Sequence, residues 1–267
     1  MRKTVFFIIL FLIAVATFDI LCATDKKEFA ETDLYDAIIK RGTIKVGINT
    51  DSKPFGFIDE NGKPAGYDVD LARYIAQYLV NSPDRFEVVP VTASNRLIKA
   101  ATGEADIIIS TVTITPQRQE IVEFSIPYDV AGQAVLVKSN SSIKSMSDLA
   151  GQTVGVIFGT TAEKNMKIMV PTANLRGFRT YSDAYKALKA GRINAITSDD
   201  TILSRFILDD STVKLLPKRY SSEPYGVAFK KGPTTVKLKE NIDFAIEDMQ
   251  QKNVIPRLRK KWIQSYY

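Results

Sequence analysis

The apolar residues of this chain follow two regimes. Val5 to Phe18 is apolar at every position except Thr17, with Arg2 and Lys3 before it and Asp19 after it. Further on, apolar positions fall into short groups separated by charged and turn-forming residues. Leu34 to Lys40 reads as a short helix stopped by Gly42, and Thr43 to Ile48 alternates as a strand does. Asn61-Gly62, following Phe57-Ile58, is a hairpin signal. Leu71, Ile75, Tyr78 and Leu79 lie at i, i+4, i+7 and i+8, one face of a helix, with Asp68 and Asp70 as N-cap and first-turn acid.

The alternation continues. Phe86 to Val91 is a predicted strand, Ser94 to Ala101 a helix and Asp106 to Thr111 an apolar strand. A second series follows Tyr128: strands at 133–137, 154–157, 175–178 and 195–197, helices from Ala162, over 182–190 and over 200–208, and a strand over 225–229. Short strands separated by helices imply an α/β fold with mostly parallel sheets covered on both faces. Two successive series suggest two lobes. The predicted helices Val236 to Gln251 and Pro256 to Trp262 have no strand after them and are expected to return to the first lobe. The expected division is lobe 1 over 24–128 plus 228–267 and lobe 2 over 129–227, with crossings near 127–132 and 223–228.

The N-terminal run of 14 residues, 5 through 18, is too short to span a bilayer comfortably and has the layout of a secretory signal peptide over 1–23. Two processing routes remain open. Cleavage after Ala23 leaves a small residue at the cut. Cys22 lies where an exported lipoprotein carries its lipid, although Asp19-Ile20-Leu21 lacks the small residue expected before such a cysteine. Either way a periplasmic or cell-surface location is expected.

Composition narrows the chemistry. The 267 residues contain no histidine and one cysteine. That removes His-based acid/base catalysis, Ser/His/Asp and Cys/His nucleophiles, and zinc sites that need His or several Cys. No metal and no cofactor is expected. The net charge of +6 is spread along the chain, with no basic stripe interleaved with aromatics, so nucleic acid is not an expected partner. The cluster Arg257, Arg259, Lys260 and Lys261 reads as the solvated face of a helix.

Gly66-Tyr67-Asp68-Val69-Asp70-Leu71-Ala72, followed by Ile75, Ala76 and Leu79, resembles the signature of the family 3 bacterial solute-binding proteins, the amino-acid receptors of ABC importers. Residues 111–118, Phe124-Ser125-Ile126-Pro127-Tyr128, Gly159-Thr160-Thr161 and Glu223-Pro224-Tyr225-Gly226 extend the resemblance from Ile44 to Trp262. Each segment alone is weak; their order and spacing together are specific. The resemblance implies two α/β lobes joined by a two-strand hinge, the type II periplasmic-binding-protein fold, with an amino acid in the cleft.

A free amino acid carries a carboxylate and an ammonium, and burying both requires a paired, hydrogen-bonded partner for each. Thr115-Pro116-Gln117-Arg118 reads as an N-cap, a Pro at the first helical position and an Arg whose fork can hold a carboxylate bidentately. Ser110, Thr111 and Thr113 end the preceding strand, where ligands bind in open α/β sheets; the resemblance assigns these positions to the α-carboxylate. Gly159-Thr160-Thr161 opens a helix and offers N–H groups and hydroxyls to an anion. The resemblance aligns Asp199 with the ammonium ligand, leaving Asp200 as the helix cap, and aligns Asp51 with another cleft acid. Phe55 supplies an aromatic wall or belongs to the core. Arg96 falls where receptors for acidic amino acids and cystine often carry an Arg, and otherwise is a solvated helix position.

The expected function is an exported, monomeric receptor that captures one L-amino acid, polar or acidic, such as glutamate, aspartate, glutamine or cystine, by hinge closure. It would deliver that ligand to the permease of an ABC importer and would not be an enzyme. The alternative is a periplasmic dehydratase of the same fold acting on prephenate or arogenate.

Overall fold

The computed structural model describes residues 32–263. The export signal over 1–23, its cleavage and lipidation of Cys22 lie outside the described residues.

Helix α1 (Leu34–Arg41) is capped by the Asp33 carboxylate, which accepts from the N–H of Tyr35, and it ends at Gly42 in the left-handed conformation. Strand β1 (Ile44–Asn49) pairs in parallel with β5 (Phe86–Val91) on one side and with β6 (Ile107–Ile108) on the other. Strands β2 (Asp51–Ser52), β3 (Gly56–Ile58) and β4 (Pro64–Ala65) form a small antiparallel sheet that includes the Asn61-Gly62 hairpin. The first large sheet has the order β5-β1-β6-β15-β7, with β7 (Val122–Phe124) and β15 (Ala228–Lys230) completing it. The second has the order β11-β10-β12-β9-β13, made by β9 (Gln133–Lys138), β10 (Thr153–Ile157), β11 (Asn174–Phe178), β12 (Ala195–Asp199) and β13 (Val213–Leu215). Between them β8 (Asp129–Ala131) pairs antiparallel with β14 (Glu223–Tyr225).

Each large sheet contains one strand that runs against the other four: β15 in the first and β9 in the second. The cause is the connectivity. A strand that enters its sheet directly from the β8/β14 ribbon starts at the edge where the parallel strands finish, so it must run away from that edge. The parallel reading of the sequence misses this because short apolar strands carry no direction signal.

Three other sequence expectations are corrected. The predicted strand over 225–229 is two strands in two different sheets, broken where the Gly226 N–H donates to the Val112 carbonyl at 3.0 Å. Helix α2 (Tyr67–Val80) begins before Asp68, with Gly66 at the cap position. A side chain at 66 is excluded twice, by φ of +123° and by a Cβ that would sit 2.2 Å from the Phe55 carbonyl oxygen. Asp68 is therefore a buried first-turn residue and not the cap. Tyr78 stays on the surface, 6.3 Å from the Phe244 ring, while Leu71, Ile75 and Leu79 are buried.

The last two helices, α8 (Val236–Gln251) and α9 (Val254–Trp262), pack on each other and on α2, and α8 also packs on α1. The Trp262 indole N–H donates to Asp70 at 2.7 Å, and its ring meets Phe57 edge-on at 5.9 Å. The basic cluster is only partly a solvated face. Arg257 and Lys260 are exposed, whereas Arg259 pairs with Asp129 and Lys261 with Asp70. No described helix is long and apolar enough to cross a membrane.

Candidate functional site

Arg118 lies in the single-turn helix α4 (Pro116–Gln119), entered through the Thr115 N-cap with Pro116 at its first position. Its side chain is buried at 5% exposure. Nη1 donates to the Thr113 carbonyl at 2.7 Å, and Nη2 reaches across to the Gly159 carbonyl at 3.1 Å. Both partners are neutral, so the charge is hydrogen-bonded but not cancelled. Burial and the neighbouring Arg96 pull its pKa down to about 10, against Asp199 and Glu223.

Arg96, the first residue of α3 (Arg96–Ala101), is as buried as Arg118, and the solvated reading of this position is wrong. Its Nη1 donates to the carbonyls of Ser110 and Thr111, the latter at 3.3 Å. Arg96 Nε and the Ser110 hydroxyl are buried without a protein partner. Burial lowers the Arg96 pKa, opposed by Tyr181, Asp199, Tyr225 and Tyr128. Thr111 bends the chain here with φ of +47°.

From the second large sheet comes Asp199, the last residue of β12, followed by α7 (Asp200–Asp209). Asp199 Oδ2 accepts from the Tyr225 hydroxyl at 2.5 Å. Burial, with Glu223 and Asp200, raises its pKa to about 7, against Tyr225 and Arg96. Asp200 does not cap α7 with its side chain: it accepts from the Gly132 N–H at 3.0 Å and pairs with Arg219. Tyr181, which opens α6 (Tyr181–Lys189), shares a hydrogen bond of 3.0 Å with the Ser198 hydroxyl.

Thr160 is the N-cap of α5 (Thr161–Met169). Its hydroxyl accepts from the Glu163 N–H and donates to the Ile157 carbonyl at 2.8 Å, while Glu163 accepts from the Gly159 N–H. The Thr160 hydroxyl is thus engaged in the cap, and Thr161 is half-buried beside it. Gly159 has φ of +81°, and a Cβ there would sit 2.6 Å from the Ala93 carbonyl oxygen. The loop after β10 therefore rests against the loop before α3.

Of two further predicted residues, Asp51 lies off this centre and Phe55 borders it through Tyr225. Asp51 is exposed, accepts from the Ser182 hydroxyl at 3.4 Å, and has its pKa raised by partial burial. It lines a rim cavity of about 590 Å³ with Lys53, Phe57, Ser182 and Arg205; Arg118 and Asp199 do not line it. We place the chemistry at the enclosed cluster, because convergent buried charges rather than open volume mark a polar-ligand site. Phe55 is fully enclosed, edge-on to Tyr67 at 5.6 Å and to Tyr225 at 5.9 Å.

Sequence reasoning missed four side chains of the cluster. Tyr128 and Tyr225 lie inside segments singled out above, but hydroxyl roles do not show in a linear motif. Asp68, with its pKa raised by burial to about 7, faces Arg96 and lies 3.5 Å from the Tyr128 hydroxyl. Tyr181 gave no signal at all. Among the described residues no group of three or more His, Cys, Asp or Glu is arranged to hold a metal ion.

Residues 44–265 match the bacterial extracellular solute-binding proteins, family 3. The chain belongs to this family. It is 37% identical over 204 residues to the glutamine-binding protein of Geobacillus stearothermophilus, covering 76% of this chain and 78% of that one. The crystal structure of a cysteine-binding protein from Campylobacter jejuni superposes with a TM-score of 0.82 at 31% identity, covering 86% and 92% of the two chains. An ancestral amino acid-binding protein, a precursor of cyclohexadienyl dehydratase, superposes with a TM-score of 0.79 at 35% identity over 86% and 99%. The family fold is the type II periplasmic-binding-protein architecture, as the resemblance implied.

Proposed function

We propose that this family 3 protein is an exported receptor that takes one polar or acidic L-amino acid and delivers it to the permease of an ABC importer. The carrying observation is that Arg118, a buried cation held only by carbonyls, and Asp199, from the other large sheet, face the same enclosed centre. Arg118 takes the α-carboxylate with Ser110, Thr111, Thr113 and the first N–H groups of α5; Asp199 takes the ammonium. Arg96 Nε and the Ser110 hydroxyl favour a ligand side chain that accepts hydrogen bonds. Segments 32–128 and 228–263 form one lobe, 129–227 the other, and the β8/β14 ribbon is the hinge. Contacts from both lobes exist together only when the cleft is shut, so ligand biases the hinge toward closure. Residues 1–23 are read as the export signal.

A thermal-shift screen against glutamate, aspartate, glutamine and cystine tests this reading. A ligand at 100 times its Kd adds about 2.7 kcal/mol of stability. Arg118→Ala should abolish that shift, and a shift retained by the variant would overturn the assignment.

A second reading, a dehydratase acting on prephenate or arogenate, is favoured by the raised pKa of Asp199, suited to proton transfer near neutrality, and by the likeness to the dehydratase precursor. Incubation with prephenate and assay for its dehydration product separates the two.

A further inference from the structure

Asp199 occupies the N-cap position of α7, yet its side chain makes no cap hydrogen bond. Aspartate at that position ordinarily turns back onto the N–H groups of the first turn. Here the carboxylate turns the other way and accepts the Tyr225 hydroxyl at 2.5 Å. That hydroxyl is a fixed donor. Tyr225 is fully buried, its ring is edge-on to Phe55 at an interplanar angle of 88°, and it lies 6.1 Å from the Tyr128 ring. Its backbone is paired with Asp129 in the β8/β14 ribbon and bridges to Thr113. The hydroxyl also lies 3.5 Å from Thr201 Oγ1. Asp200, next in sequence, is held by the opposite crossing, exchanging hydrogen bonds with Gly132.

We propose that Tyr225 is the positioning residue for Asp199, holding its carboxylate away from the helix cap and toward the ammonium of the bound amino acid. This rests on the reading of Asp199 as the ammonium partner. A phenol that donates to a carboxylate also favours its ionised form. The groups that face Asp199 are Tyr225, Tyr181, Arg96, Arg118, Glu223 and Asp200. Without the Tyr225 hydroxyl, burial together with Glu223 and Asp200 acts more strongly toward the neutral acid.

The test is Tyr225→Phe, which keeps the ring and removes the donor. The Kd for the amino acid that stabilises the wild type should weaken about tenfold at pH 7.5. The midpoint of its pH dependence should move to higher pH. In the ligand-free protein, the Asp199 carboxyl carbon, followed by NMR, should titrate at higher pH in the variant. Thr201→Val should leave Kd and both midpoints unchanged. An unmoved Kd and midpoint overturns the proposal, and so does uniform weakening at every pH with an unmoved Asp199 titration. Should Tyr225→Phe fail to fold, 3-fluorotyrosine at position 225, a stronger donor of similar shape, should shift the Asp199 titration to lower pH; no shift overturns the proposal. If the wild type binds no amino acid, the receptor reading falls, while the ligand-free titration still decides the role of Tyr225.

Discussion

Arg118 and Arg96 are neighbours in the buried cluster; Arg118 spreads the fork of its guanidinium over two carbonyls, one from each nitrogen, whereas Arg96 meets two carbonyls through Nη1 alone. A lysine in place of Arg118 keeps the charge but offers a point donor in place of the fork. Arg118→Lys is therefore expected to weaken amino-acid binding at least about 100-fold by calorimetry, the scale of losing a charge-assisted bidentate contact. At Asp199 the sign of a pH effect follows from its raised pKa. The ligand ammonium favours the ionised carboxylate, so binding should release up to one proton near pH 7, and affinity should fall as pH drops below about 7. Calorimetry in two buffers of different ionisation enthalpy reads that proton directly; a buffer-independent enthalpy at pH 6.5 counts against it.

At the scale of elements, the loop before α3 rests against the start of α5, and Arg118 donates across to the Gly159 carbonyl there. A Cβ at Gly159 would sit 2.6 Å from the Ala93 carbonyl oxygen, and its φ of +81° disfavours any side chain. Gly159→Ala should weaken ligand affinity more than tenfold, since closure would have to displace the Ala93 carbonyl, and titration calorimetry checks this. Thr160→Ala removes the cap of α5 and should cost about 1 kcal/mol in urea unfolding. The caps of α4 and α5 were legible in sequence because Thr-Pro-x-Arg and Gly-Thr-Thr are local signals. Asp199 and Asp200 were not separable on that basis. Which of two adjacent carboxylates turns toward Tyr225 and which toward Gly132 is set by partners that are each more than 20 residues away in sequence.

Across the whole molecule, Asp68 and Asp199 both carry pKa values raised to about 7 from an unfolded value near 3.8. A folded state that holds its protons more tightly than the unfolded chain loses stability as pH rises between those values. The ligand-free protein should therefore lose stability from pH 4 toward pH 7 through these two groups, with the loss complete above about pH 7. Urea midpoints at pH 5 and 8 test it, and Asp68→Asn should flatten the difference. Bound amino acid should reduce the Asp199 part, because the ammonium restores a counter-charge.

The alternation of the main strands and helices and the presence of two terminal helices with no strand after them are written in the sequence, because hydrophobic period, caps and turn residues act over a few positions. Strand direction at β9 and β15 is not, since it is imposed by the ribbon through which each strand enters its sheet. Nor is the split of the 225–229 segment, the burial of Arg96 or the hydrogen bonding of the Tyr128, Tyr181 and Tyr225 hydroxyls. Those follow from long-range packing, which alone determines which polar groups lose water together and must therefore answer one another's charge.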